Sequence, residues 1–114
     1  MADAGFAKLL FLQAIKVRDP DGADEIQVSR GDGVIFEQIK MRQDDVFTFD
    51  DDRLLPFRPN QAPVRVVLGE VDQVGPDDRI IGSANISAAE LGLGERTARI
   101  GGAGALYELT YKVI

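Results

Sequence analysis

The chain contains no cysteine, no histidine and no tryptophan. Without cysteine there is no disulfide framework and no thiolate metal site, and the redox compartment stays open. Without histidine the usual general base and the commonest zinc or copper ligand are missing. Ser–His, Cys–His and zinc-water chemistry are therefore excluded together. A carboxylate pair could still cleave glycosides, but that needs one acid held in a dry pocket with a raised pKa. The acids here gather on Gly- and Pro-bearing stretches, which are expected to be wet, so the chain reads as a non-enzyme. Long apolar runs are missing too. Phe6 to Ile15 is interrupted by Lys8 and Gln13, which falls short of the roughly 20 apolar residues of a membrane span. That run has neither a basic start nor an obvious small-residue cleavage site, so no signal peptide is expected. Basic residues are also scarce: 13 Lys and Arg stand against 19 Asp and Glu, giving a net charge of −6. That balance works against nucleic acid, whose phosphates call for a basic patch, and against electrostatic binding to anionic lipid.

What is present is 45% hydrophobic residues in a length of 114. That is enough to bury about 65% of the unfolded surface as one domain spanning 1–114. Period-2 patterns dominate. In Leu106-Tyr-Glu-Leu-Thr-Tyr-Lys-Val113, the residues Tyr107, Leu109, Tyr111 and Val113 fall on one face, so both tyrosines are read as core aromatics. Gly101 to Gly104 supplies a turn before it, and Glu95 to Ile100 a hairpin partner. Ala62 to Val71 and Arg79 to Ile86 form two further strands. Glu25 to Ser29 alternates, and Asp32-Gly33 marks a hairpin into Val34 to Met41. Asp45 to Phe49 makes another short strand. Phe6 to Val17 is the first strand; a helix from Ala7 to Val17 is its rival, against which the β-branched Ile15 and Val17 speak. Asp50 to Asn60, with three aspartates and two prolines, is either a long loop or a strand at a sheet edge. Ser87-Ala-Ala-Glu90 fits a capping box over one helical turn. These elements predict an all-β, antiparallel sandwich of seven or eight strands. Lys16, Arg18, Lys40, Arg42 and Arg65 are read as scattered exposed strand positions rather than a basic groove.

Two acidic stretches stand out. RDPDGADE places Asp19, Asp21, Asp24 and Glu25 within seven residues, and Glu70, Asp72, Asp77 and Asp78 lie between two later strands. Taken alone, the first is a turn built from Asp, Pro and Gly. In a sandwich, loops at one end converge, and acids brought together there repel one another unless a cation intervenes. Calcium takes 6–8 oxygens at about 2.3–2.6 Å in adaptable geometry, which suits short Asp side chains better than magnesium's strict octahedron does.

The order of these residues resembles the C2 domain family. The first calcium loop of that family commonly reads Asp-Pro-Asn-Gly-x-Ser-Asp-Pro-Tyr. Here Asp19-Pro-Asp-Gly-Ala-Asp24 is similar, one residue shorter and lacking the Pro-Tyr pair. The family's third loop spaces its acids Asp-x-Asp-x5-Asp, and Glu70, Asp72 and Asp78 keep that spacing. Glu stands for the first Asp, and Asp77 replaces Asp78 in a frame shifted by one. The resemblance implies a C2-like sandwich with Ca²⁺ held by Asp19, Asp21, Asp24, Glu70, Asp72 and Asp77 or Asp78. It also implies a binding module whose partner is a protein or a larger assembly. Membrane lipid has weaker support, because the loops offer only Arg18, Ala23 and Val74 for insertion. A metal-free structural or interaction module is the alternative. A carbohydrate-binding module comes third, since it would need exposed aromatics.

Overall fold

A computed structural model of the chain describes residues 5–18, 22–31, 35–57, 63–70, 79–102 and 104–114. Nine strands follow in order: β1 (Phe6–Lys16), β2 (Ala23–Arg30), β3 (Ile35–Arg42), β4 (Val46–Thr48), β5 (Leu54–Pro56), β6 (Val64–Glu70), β7 (Arg79–Ile86), β8 (Arg96–Gly102) and β9 (Ala105–Val113). One sheet has the order β4-β1-β9-β8, with β5 also on β1, and the other runs β3-β2-β6-β7. All pairings are antiparallel. The two sheets close over a common core, so the expected antiparallel sandwich is the fold. Among the described residues, no helix is long and apolar enough to cross a membrane.

Inward-facing residues alternate along each strand, as a half-buried sheet requires. On β9 they are Tyr107, Leu109, Tyr111 and Val113, all buried. On β2 they are Ile26 and Val28, and on β6 Val64, Val66 and Leu68. β1 buries Ala7, Leu9, Leu12 and Ala14. A register shift between Leu9 and Phe11 breaks its alternation by one residue. That bulge is the physical reason the stretch carries a partly helix-like spacing of apolar residues.

The acidic stretch Asp50 to Asp52 is an exposed turn within an interrupted edge. β4 pairs with Phe11 to Gln13 and β5 with Phe6 to Lys8, so the two share the same flank of β1. Phe49 N–H donates to the Leu10 carbonyl at 2.9 Å and Leu9 N–H to Arg53 at 3.3 Å, which stitches the bulge down. Pro56 ends β5 on this edge, where a missing N–H costs no ladder bond. Arg53 reaches across to the edge of the other sheet. Its Nη2 donates to Glu37 Oε1 at 2.8 Å and to the Phe36 carbonyl at 3.3 Å, and its guanidinium lies 5.0 Å from the Phe36 ring centroid. An exposed edge is thereby occupied by a charged side chain.

A 3-10 turn, Ala88–Glu90, links β7 to β8. The capping box read from the sequence is formed: Ala89 N–H donates to Ser87 Oγ at 3.1 Å, and Ser87 N–H to Glu90 Oε2 at 2.9 Å. At the edge that joins the sheets, β7 and β8 come very close. A Cβ on Gly102 would lie 2.2 Å from the Ile81 carbonyl oxygen, whereas one on Gly22 meets nothing within 4 Å. Gly102→Ala is therefore expected to force backbone apart and cost about 1–3 kcal/mol, with Gly22→Ala near neutral. Urea midpoints of the two variants check the contrast.

Candidate functional site

Asp24 and Glu70 lie inside strands, and both occupy inward positions of the alternation. Asp24 continues the Ile26–Val28 stripe of β2, and Glu70 continues the Val64–Val66–Leu68 stripe of β6. Asp24 was expected in a turn, and Glu70 near the end of a strand where the second acidic stretch begins. The phase of the strands overrides the chemistry of the letters, because register places every second residue on the same face. Ile26 pairs with Glu70 across β2 and β6, which brings the two carboxylates to the same rim of the core. Tyr107 faces them from β9 in the opposite sheet, and Arg18 follows directly on β1.

Asp24 and Tyr107 are both 0% exposed. The Tyr107 hydroxyl donates to Asp24 Oδ2 at 2.8 Å. The Arg18 backbone N–H is shared between the two Asp24 oxygens, at 3.1 and 2.9 Å. The Arg18 guanidinium turns to the second acid, with Nη1 2.5 Å from Glu70 Oε1 and side-chain exposures of 28% and 13%. A backbone amide, a phenol and a guanidinium thus hold two carboxylates and tie the two sheets together. Buried polar groups are tolerable only when satisfied in this way.

Burial pushes the Glu70 carboxyl above its usual 4.5, and the neighbouring Asp24 adds to the rise through a hydrogen bond and its charge, while Arg18 pulls the other way. The neutral acid is therefore favoured in the fold relative to the open chain. Its contribution to stability is fully present below pH 4.5 and is lost as the pH rises through the folded-state value. Burial, Asp24 and the Glu70 charge push the Tyr107 phenol far above its ordinary 10, which keeps it a hydrogen-bond donor.

A second polar group closes the opposite end of β9. The Tyr111 hydroxyl donates to Glu90 Oε1 at 2.7 Å, and Arg96 Nε lies 3.6 Å from the same oxygen. Burial first, then Glu90, raises the Tyr111 phenol to about 12. The two tyrosines read as core aromatics are therefore each anchored to a carboxylate on another element.

Of the residues predicted to ligate a cation, the structure brings Asp24 and Glu70 together. Asp19, Asp21, Asp72, Asp77 and Asp78 lie outside the described residues. Among the described residues no group of three or more acids could hold a metal ion. Sequence reasoning missed Arg18 and Tyr107 as partners of the acids. The usable signals were the period-2 phase of Asp24 and Glu70 with their strands, and the need of a core tyrosine for an acceptor. The chain matches no family model, and no curated protein matches it significantly.

Proposed function

We propose that this protein is a non-enzymatic, C2-like binding module whose acidic end takes a calcium ion and presents it to a protein partner or a larger assembly. The single observation that supports this reading is the meeting of Asp24 and Glu70, far apart in the chain, at one rim of the sandwich. In the sequence Asp19 and Asp21 follow Arg18, and Asp72, Asp77 and Asp78 follow Glu70. Calcium would bring two positive charges to an acidic end and coordinate carboxylate oxygens drawn from both stretches. For Asp24 or Glu70 to join them, the Arg18 or Tyr107 donors must give way.

That last requirement favours a second reading. Both oxygens of Asp24 and Oε1 of Glu70 already have protein donors, so the pair also fits a metal-free scaffold that serves as an interaction module. Thermal melting separates the two. Calcium at about a hundred times its dissociation constant adds about 2.7 kcal/mol, which raises the melting temperature by about 10 °C over EDTA for a domain this size. Magnesium is expected to do less, and Asp19→Asn with Asp72→Asn to abolish the shift while leaving the melt in EDTA intact. Identical melts in EDTA and calcium would retire the calcium module and leave the metal-free scaffold.

A further inference from the structure

The outer face of the five-stranded sheet carries a feature that the acidic end does not explain. Lys8 on β1 and Lys112 on β9 are directly opposite each other, both half-buried. Neither makes an ion pair or hydrogen bond among the described residues. Like charges in direct cross-strand register repel, and here they persist in a chain where acids outnumber bases 19 to 13. Lys16 adds a third positive charge farther along the same face, opposite Leu106. Two carboxylates belong to the described part of this face: Glu108, which Arg99 Nε neutralises at 3.1 Å, and exposed Glu95, which directly precedes Arg96 at the end of the β8–β9 ladder.

An apolar row flanks the lysines on one side, and a single phenylalanine set between Thr48 and Thr110 flanks them on the other. On one side Phe6 pairs with Pro56 and exchanges both backbone hydrogen bonds with Ile114, and Phe6 and Ile114 are 42% and 47% exposed. On the other side lies half-buried Phe11, and Leu54 extends the lysine row itself. The result is a sheet face on an acidic protein with a lysine pair set between apolar side chains.

We propose that this face docks an acidic polypeptide segment, with carboxylates set between apolar side chains, so that its carboxylates bridge Lys8 and Lys112. Charge complementarity with the lysine pair gives the sign of the occupant, and the Pro56–Phe6–Ile114 row with Phe11 gives its mixed character. A narrow peptide also fits better than an anionic bilayer. Exposed Asp44, Asp45 and Asp50 to Asp52 flank the β4–β5 edge of this same sheet. An extended anionic membrane surface would meet all of them at once, whereas a narrow segment laid across Lys8 and Lys112 covers less of that acidic edge. The two rims of the molecule are separate, so this inference stands without calcium.

The test is run in EDTA with a short labelled peptide that alternates Glu with Leu, and with its Gln-for-Glu counterpart. Two partly exposed ion pairs support about a tenfold difference in affinity. Wild type is expected to bind the Glu peptide about tenfold more tightly than the Gln peptide, with binding that weakens as salt rises. Lys8→Gln with Lys112→Gln is expected to lose the same factor while melting at or above the wild-type temperature, because the repulsion is gone. Equal binding by wild type and double variant overturns the proposal, as does no binding of the Glu peptide up to about 1 mM. Lysine-dependent binding to phosphatidylserine vesicles without peptide binding would reassign the face to lipid. Lysine-dependent self-association in sedimentation would reassign it to a second copy.

Discussion

Asp24→Ala is expected to destabilise the protein by about 3–5 kcal/mol, the range for removing one member of a buried charged network. Its carboxylate is fully buried and accepts from the Arg18 backbone and the Tyr107 hydroxyl. Removal leaves both donors in a region closed to water, where each orphaned group costs about 1–3 kcal/mol. Asp24→Asn keeps one acceptor oxygen, and Tyr107→Phe removes one donor while filling the same space, so each should cost about 1–2 kcal/mol. A double-mutant cycle between Asp24→Asn and Tyr107→Phe should give a coupling of at least about 0.5 kcal/mol, because the residues touch. Urea midpoints at neutral pH in EDTA measure all of these. The metal-free condition separates two roles for Asp24. If its carboxylate served only as a cation ligand, its loss in EDTA would relieve repulsion from Glu70 and raise stability. A fall of several kcal/mol makes it a structural tie between the sheets, whatever happens at the neighbouring acids.

The alternation that located β9, β6 and β2 in the sequence is a local property, and each of those strands lies where its pattern predicts. The capping box at Ser87 and the core positions of Tyr107 and Tyr111 were legible for the same reason: each depends on residues within a few places of one another. Asp24 and Glu70 were legible as acids that meet, because sandwich connections at one end converge. Their burial was not read, since aspartate and glutamate beside Gly and Pro resemble a turn by composition. The phase of Asp24-x-Ile26-x-Val28 carries the signal that composition hides. Arg18 as the partner of Glu70 depends on β2 pairing with β6 and on β1 ending beside them. Such long-range register leaves no local trace. The β1 bulge and the shared β4–β5 edge were hidden for a related reason, because a one-residue slip is decided by the partner strand.

Alkaline unfolding should begin unusually sharply above pH 10, driven by the two tyrosines. Both phenols sit on the inner face of β9, at 0% and 6% exposure, and each donates to a carboxylate. Burial disfavours the phenolate, and a carboxylate acceptor repels it further. In the unfolded chain both titrate near 10, while in the fold Tyr111 is raised to about 12 and Tyr107 beyond that. Raised folded-state values mean that the folded protein binds more protons than the unfolded chain between those pH values. Stability is therefore fully present below pH 10 and falls as the pH climbs towards 12 and above. For Tyr111 the rise from 10 to about 12 is set against solvent screening of its part-buried hydroxyl and leaves on the order of 1 kcal/mol, still a sizeable share of a small domain's total. Tyrosinate absorbance of the folded protein should stay flat to about pH 11 and then appear together with loss of β-sheet circular dichroism. Glu90→Gln removes the charge facing Tyr111 and should move that residue's absorbance to lower pH, with Tyr107 silent until unfolding. If one tyrosine titrates near pH 10 in the folded protein, the Tyr111–Glu90 tie is not formed in solution. If both do, the core face of β9 is open to water and the Asp24 network cannot hold the sheets together as described.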